Sequence, residues 1–307
     1  MPTDERSGLS SPDKLLWPQA GITKADLWDY YLAMSDRLLA ALADRPVTLK
    51  RHPNGIEQPG FFQKNLGRDA PDDLERFTAW SDSSKREVDY LVVAGTRELR
   101  WAAQMGVVEL HTWLARIDRP EQPDTLLFDL DPASDTQSVT QAALWTREVL
   151  DELGLQARVK TSGKRGLHVV VRIERRYGFN EVRGFALAAA RYLADRHPDD
   201  LTVEMRKDDR GGRLLVDWSR HGAAQHAVAA WSPRVTPHAT VSVPLTWEEV
   251  EQGFDPANAT IRTAPQRPDH WAEPAPAHRI ESARDQLAEQ GYEARDRSPR
   301  ARTTRGR

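Results

Sequence analysis

Two carboxylates, Asp129 and Asp131, stand two residues apart at the end of the apolar run Thr125–Asp131 (TLLFDLD). Along a strand, residues i and i+2 share a face, so both acids point the same way. Like charges that close repel unless a cation neutralises them. Their hard oxygen ligands suit Mg²⁺ or Mn²⁺. An isolated D-x-D is more often a solvated strand end, but the preceding Leu126-Leu127-Phe128 argues for a central strand reaching a cleft. Asp217 closes a second apolar run, Leu214-Leu215-Val216. Three carboxylates at the ends of adjacent buried strands would hold two metal ions and clamp both oxygens of a phosphoryl displacement.

The segment Ser162-Gly163-Lys164-Arg165-Gly166-Leu167-His168 supplies complementary chemistry. Glycines let backbone N–H groups approach a phosphate closely. Ser162, Lys164, Arg165 and His168 add donors and positive charge. Taken alone, the segment also fits an ordinary surface hairpin, and it lacks the G-x-x-x-x-G-K-[ST] spacing of a P-loop. Acids for metals and a basic hairpin for a triphosphate together point to phosphoryl or nucleotidyl transfer.

Positioning these groups requires strands and helices in alternation. Thr23 is a plausible N-cap for a helix over 24–43, which Pro46 ends. Val47–Lys50 reads as a short strand, Pro53-Asn54-Gly55 as a turn and Gly60–Lys64 as a return strand. A polar stretch to Asp82 follows, then Tyr90–Val93 as an apolar run, Thr96–Met105 as a helix and Val107–His111 as a strand. A helix over Thr140–Leu153 stops at Gly154, and Ala157–Thr161 with Leu167–Ile173 reads as a hairpin. Asn180–Asp195 is helical, and Arg213–Asp217 is a strand ending in an acid. The mixed order of strands and helices argues for an α/β (α+β) core.

Residues 1–10 are expected to be disordered, 11–115 to form the N-terminal module and 116–263 the metal and nucleotide core. Beyond residue 263 prolines cluster, and a Pro/Arg-rich tail (264–307) follows, with a helix over Glu281–Gln290. The last ten residues carry four arginines and no acid. With 39% hydrophobic and 29% charged residues the composition is globular, and the absence of cysteine excludes disulfides and thiolate metal sites. No run approaches the roughly 20 apolar residues of a membrane span and no secretory leader is evident, so a soluble, cytoplasmic protein is expected. The net charge of −3 is uninformative, yet residues 155–221 hold 15 basic against 9 acidic side chains, a local basic surface suited to phosphates.

The order of motifs carries a resemblance. Phe128-Asp129-Leu130-Asp131-Pro132, Thr161-Ser162-Gly163 through His168, and Val216-Asp217-Trp218 resemble motifs I to III of the archaeo-eukaryotic primase superfamily. Within it the chain is similar to the polymerase domain of bacterial DNA ligase D and its stand-alone relatives, which implies a primase-like catalytic core with a mixed or antiparallel central sheet flanked by helices, plus an N-terminal α/β module. The likeness extends to Lys14–Pro18 with Gly21–Lys24, Arg51–Gly55 with Phe61–Lys64, Glu109–Trp113 and Ser242–Trp247, and covers residues 10–263 in order. It implies that Asp129 and Asp131 bind two ions, Mn²⁺ or Mg²⁺, and that Asp217 binds the catalytic one. Ser162, Lys164, Arg165, Gly166, His168 and Arg234 would hold an incoming NTP or dNTP. Lys14 and Lys24 would take the 5′-phosphate of a DNA end or gap. Phe61 or Phe62 would stack on template bases, the other being core, with Lys50, Arg51 and Lys64 on the same DNA-binding side. His111 stays structural or near the site.

The resemblance further implies templated extension and gap filling in non-homologous end joining, a preference for ribonucleotides, and cooperation with Ku and a separate ligase in a bacterial, nucleoid-associated setting. Three departures from the family pattern, at Arg165, His221 and Trp231, are expected beside the triphosphate. A dedicated primase, a non-catalytic DNA-end-binding module and a metal-dependent phosphoesterase are the rival readings; the intact acid triad opposes the second, and the triphosphate hairpin the third.

Overall fold

The computed structural model describes residues 6–67, 70–81, 84–132 and 138–293. A two-stranded ribbon, β1 (Leu15–Trp17) and β2 (Ile22–Thr23), leads into helix α1 (Lys24–Ala33). The Thr23 hydroxyl accepts from the Asp26 amide at 3.2 Å, and the Asp26 carboxylate accepts from the Thr23 amide at 2.7 Å, so both ends of a capping box are made. The single helix expected over 24–43 is two, because the backbone leaves the helical range at Met34 (φ −99°, ψ 10°) and α2 (Ser35–Leu42) starts afresh. Pro46 ends no helix; it opens β3 (Pro46–Arg51).

The first sheet holds β3, β4 (Phe61–Gln63), β5 (Arg76–Ser81), β6 (Arg86–Val92), β7 (Val107–Trp113) and, from much later in the chain, β13 (His226–Val228). Its order is β13-β7-β3-β6-β5, with β4 paired to β3. Helix α3 (Thr96–Gln104) joins β6 to β7. Strand β5 lies in the polar stretch where the sequence pattern shows no strand: Phe77 and Ala79 pack inward while Arg76, Thr78 and Trp80 face out. Insertion of β13 beside β7 means that the N-terminal module and the core, divided at residue 115 by the sequence reading, share one sheet.

The second sheet runs β11-β12-β8-β10-β9-β14, formed by β8 (Thr125–Asp131), β9 (Arg158–Thr161), β10 (Leu167–Arg172), β11 (Leu201–Thr202), β12 (Leu214–Asp217) and β14 (Pro244–Leu245). Its neighbours are antiparallel except β11 and β12. Helices α4 (Val139–Glu152) and α5 (Phe179–Arg196) cover one face, where Leu126, Phe128 and Leu130 of β8 meet Ala142, Ala143 and Phe185 in the main core. On the opposite face Leu127 packs with Leu114 and Phe179. Period-2 alternation therefore turns Asp129 and Asp131 away from the helices and into the space between the sheets.

Short helix α6 (Trp247–Glu251) follows β14, and α7 (Glu281–Glu289) follows later. The described residues on either side of 11–263 are packed. Ser10 accepts from Lys24 Nζ at 2.9 Å, and Leu9 lies against the core. Residues 264–293 run back along the second sheet, with His278 bonded through its backbone to Arg172 and Glu174, and Leu287 of α7 fully buried. Apolar side chains such as Ile280, Ala283 and Leu287 hold this segment down despite its prolines. The arginine-rich end, Ser298–Arg307, lies outside the described residues. No helix of the described residues is long and apolar enough to cross a membrane.

Candidate active site

Register decides the geometry of the acids. Asp129 on β8 is paired with Asp217 on β12 and, on its other side, with His168 on β10. Asp131 follows Asp129 on the same face. They border a cleft of about 350 Å³ between the two sheets, lined among others by Asp129, Asp131, Ser162, Lys164, His168 and Arg234. Sequence elements more than 100 residues apart thus meet at one mouth.

Electrostatics separates the acids. Burial opposes ionisation of Asp129, but the neighbouring charges of His168 and Arg220 outweigh it and hold the carboxyl below the usual carboxylate range. Asp131 is pushed up, first by desolvation and then by repulsion from Asp129. Asp217 is buried, and its Oδ1 accepts from the Ser219 amide at 2.8 Å and hydroxyl at 2.6 Å. Arg220 bridges the pair: its guanidinium lies 3.3 Å from Asp129 Oδ2 and 3.2 Å from Asp217 Oδ2. His168 Nε2 is 3.3 Å from Asp129 Oδ1, and burial, with the Lys160 charge beside it, pushes the imidazole down to about 4.

Among the described residues no three acid or imidazole side chains converge closely enough to hold a metal ion as they stand. The Arg220 guanidinium lies between two of the carboxylates and offsets their charge. The donor set nonetheless fits a hard divalent cation. All three groups are carboxylates on one sheet face, and such an ion would favour the ionised form of Asp131 against the desolvation and the Asp129 charge that raise it.

The loop joining β9 to β10 is ordered from within. Ser162 Oγ accepts from the amides of Lys164 (3.3 Å) and Gly166 (3.1 Å), and the Ser162 amide donates to the Gly166 carbonyl at 2.8 Å. A Cβ on Gly166 would stand 2.5 Å from the Leu130 carbonyl oxygen, so only glycine lets the loop lie on β8 beside the acids. Gly163 has φ +72°, and a Cβ there would meet Arg234 Cγ at 2.6 Å. Lys164 and Arg165 are exposed at the loop tip, and Arg165 reaches the Pro132 carbonyl at 3.4 Å.

Arg234 is buried and its guanidinium is committed to the protein, bonding the Ser162 carbonyl and pairing with Glu109 at 3.1 Å. Glu109 also accepts from His111 Nε2 at 2.7 Å. Burial opposes its ionisation, but the His111 hydrogen bond and the Arg234 charge keep it ionised well below the usual range. Beneath them Lys160 is fully enclosed and donates to Ser242 Oγ at 2.7 Å; burial, reinforced by Arg234, pushes its ammonium well down.

Phe61 and Phe62 are both about half exposed, against the expectation that one is core. Strand β4 is short and, among the described residues, pairs only with β3, and both of its phenylalanines stay partly open to solvent. Phe62 turns into the cleft, edge-on to His111 with ring centres 5.4 Å apart, and Lys50 Nζ lies 4.5 Å from its centre. Arg51 stands 5.3 Å from the Phe61 ring centre and donates to the Met105 carbonyl and to Gln63. Lys64 is close enough to His226 for its charge to act there. Lys14 and Lys24 form a separate pair: the Lys24 amide donates to the Lys14 carbonyl, and burial, then the Lys14 charge, lowers the Lys24 ammonium.

Four cleft-side groups had no defined role in the sequence reading: Arg220, His226, His111 and Lys160. Arg220, three residues beyond Asp217, carried a spacing signal; His226 carried none, because its place beside β7 is a long-range pairing. Two departures expected beside the triphosphate lie elsewhere. His221 is fully buried behind β8, its Nδ1 donating to the Trp218 carbonyl at 2.8 Å and its Nε2 accepting from the Leu127 amide at 2.9 Å. Trp231 is buried under Arg37, and its carbonyl accepts from the Tyr30 hydroxyl at 2.7 Å.

Comparison with known proteins identifies the family. The family model of the LigD primase-polymerase domain matches residues 23–275. The multifunctional non-homologous end joining protein LigD of Mycolicibacterium smegmatis is 36% identical over 251 residues, 80% of this chain and 32% of that protein. Its counterpart in Pseudomonas aeruginosa is 35% identical over 268 residues, 86% of this chain and 31% of that protein. The chain therefore spans about a third of the length of these relatives. The solved polymerase domain of Mycobacterium tuberculosis ligase D, in complex with DNA, superposes with a TM-score of 0.79 at 32% identity, covering 86% of this chain and 94% of that one. By the family match, the shared identity and the shared fold, the chain belongs to the LigD primase-polymerase domain family, a family of DNA-directed polymerase/primase nucleotidyltransferases.

Proposed function

We propose that the protein fills gaps and extends DNA ends in non-homologous end joining, by templated transfer of nucleotides, preferentially ribonucleotides, to a primer 3′-hydroxyl. The observation that carries this reading is the placing of Asp129, Asp131 and Asp217 on one sheet face beside the glycine loop of Ser162–Gly166. Asp129, Asp131 and Asp217 would hold the metal, Mn²⁺ or Mg²⁺ and two ions in all, in place of the Arg220 guanidinium that now bridges two of them. The bound ions supply charge neutralisation for the attacking and leaving oxygens.

The chain's own groups do the rest. Lys164 and Arg165 at the loop tip offer charge to the triphosphate, and the loop amides not accepted by Ser162 Oγ orient it. Arg220, freed from Asp129 and Asp217, is placed to follow the negative charge of the nucleotide. Neutral His168 holds Asp129 in place through Nε2. Arg234 acts on the nucleotide by fixing the Ser162 carbonyl. Phe62 offers its half-exposed ring for template stacking, with Phe61, Lys50, Arg51 and Lys64 alongside. Lys14 and Lys24, two like charges side by side, take the 5′-phosphate at a break. Ku and a ligase working in a bacterial nucleoid are the partners this activity requires, since extension alone does not seal a break.

Extension of a gapped duplex bearing a downstream 5′-phosphate tests the proposal, with Mn²⁺, ribo- or deoxyribonucleotides, and the Asp129→Ala/Asp131→Ala variant beside wild type. Templated extension by wild type alone supports it. Tight 5′-phosphate-dependent binding without extension by either nucleotide set would leave a DNA-end-binding module and reject the catalytic reading.

A further inference from the structure

Strands β8 and β10 border the catalytic cleft at one end, with Asp129 and His168, and a second concavity at the other. Alternation puts His168, Val170 and Arg172 of β10 on the cleft face, as it does Asp129, Leu127 and Thr125 of β8. Register pairs Arg172 with Thr125 where it pairs His168 with Asp129. Leu127 and Val170 pack together on this side, whereas Val169 and Val171 lie in the core under the helices. Four residues of strand separate the two levels, on the order of 13 Å.

At the far level an open pocket of about 690 Å³ is lined by Arg116, Arg119, Arg172, Arg175 and Arg176. Against these five guanidiniums the lining has two carboxylates, Asp124 and Glu174. Three of the arginines are held by acids: Arg116 by Asp124 at 3.0 Å, Arg175 by Asp118 and Arg176 by Glu174 at 3.6 Å. Among the described residues, the Arg119 and Arg172 guanidiniums hydrogen-bond only carbonyl oxygens, those of Arg175 at 3.3 Å and Ala275 at 2.8 Å, while the Arg119 charge also acts on Asp118. A guanidinium has five N–H donors, so both keep most of theirs for a ligand. Arg158, beside Val170 on β9, is close enough to Arg172 for the two like charges to oppose each other.

Arginine rather than lysine throughout, with donors left over, is the chemistry of phosphate recognition. The only apolar lining comes from Ile173 and Ala277, with no aromatic anchor of the kind that organises a protein interface. Arginines from the β7–β8 connection and from the end of β10 stand around an open pocket too large for a single phosphate. We infer that this pocket is a second phosphate-binding site, which takes the backbone of a nucleic-acid strand at the end of the sheet remote from the catalytic acids. The inference stands on the arginines alone and does not require that the acids be catalytic.

Fluorescence anisotropy of a labelled single-stranded oligonucleotide over a salt series, on the full chain, tests it. Arg119→Ala/Arg172→Ala should weaken binding about tenfold and flatten the plot of log affinity against log salt by about 1.4, the value for two lost phosphate contacts on a single strand. Arg119→Lys/Arg172→Lys keeps both charges, so the salt slope should stay near that of wild type while affinity falls less. Calorimetric titration with inorganic pyrophosphate separates the sources of phosphate. Pyrophosphate binding that the alanine pair abolishes, with oligonucleotide binding untouched, would make this a small-polyphosphate site and overturn the assignment. Unchanged affinity and slope in the alanine pair would overturn the site altogether.

Discussion

Asp217 lies directly across the β8–β12 pair from Asp129, and the Arg220 guanidinium sits between their carboxylates, 3.3 Å from one and 3.2 Å from the other. The arginine stands where a cation is needed. Its position explains how acids on neighbouring strands coexist in the folded chain before any substrate arrives.

Arg220→Ala leaves two carboxylates facing one another without a counter-charge. The metal-free variant should melt about 1–2 °C below wild type, the shift that ~1 kcal/mol produces in a chain of this size. Mn²⁺ should raise its melting temperature by more than it raises that of wild type, because no guanidinium competes. Calorimetry with and without Mn²⁺ measures both, and indifference of both proteins to Mn²⁺ would count against Asp129 and Asp217 as metal ligands.

His221 predicts a pH dependence of stability. Burial depresses its folded pKa to about 4 from the ordinary 6.5. Between these values the unfolded imidazole binds a proton that the folded one refuses, so stability falls as pH drops from 6.5 towards 4. The loss from this residue is roughly 3 kcal/mol across that window. His221→Asn keeps an acceptor for the Leu127 amide and does not titrate. Urea denaturation at pH 7 and at pH 4 should therefore show wild type losing more stability than the variant.

Gly166→Ala drives a Cβ to 2.5 Å from the Leu130 carbonyl, which is backbone and cannot move aside cheaply. The expected cost is about 1–3 kcal/mol of stability. Extension should fall further than stability alone explains, because the loop shifts relative to Asp129 and Asp131. A variant that unfolds earlier yet keeps wild-type kcat and KM on nucleotide would show that the loop does not touch it.

Lys14→Ala/Lys24→Ala removes the two adjacent lysines at the ribbon before α1. Affinity for a gapped duplex with a 5′-phosphate should fall at least about tenfold, the scale of one charged hydrogen bond. Affinity for the same duplex with a 5′-hydroxyl should hardly change. Equal losses on both duplexes would assign these lysines to general DNA attraction instead.

Phe62→Ala should raise KM for primer-template by about tenfold, since stacking on a base contributes roughly 1–3 kcal/mol. Phe61→Ala, outside the cleft lining, should do less. Steady-state kinetics on one gapped substrate distinguishes them.

Local pattern carried a large share of this protein. TLLFDLD read as a buried strand ending at a cleft because alternation and apolarity act over a few residues, and the strand runs over those seven. The hairpin of β9 and β10, the helices α3 to α5 and the glycines of the loop followed from equally local rules. Strand β5 escaped because its inward residues are few and its outward ones polar. The exposure of both phenylalanines escaped because it depends on what the rest of the fold sets against the faces of β4.

The sequence by itself determined which groups are available: three acids at strand ends, a basic glycine loop, paired lysines, and an excess of arginine over residues 155–221. Tertiary structure decided which of them meet. Register set Asp217 opposite Asp129, and insertion of β13 beside β7 brought His226 to the cleft. Burial committed Arg234 to Glu109 and His221 to the strand backbone, since a buried polar group must find partners wherever the fold supplies them. Arg119 and Arg172, 53 residues apart in the sequence, became neighbours only because β8 and β10 pair along their full length. Pairing across such separations depends on the closing of the whole sheet, and no window of local sequence contains it.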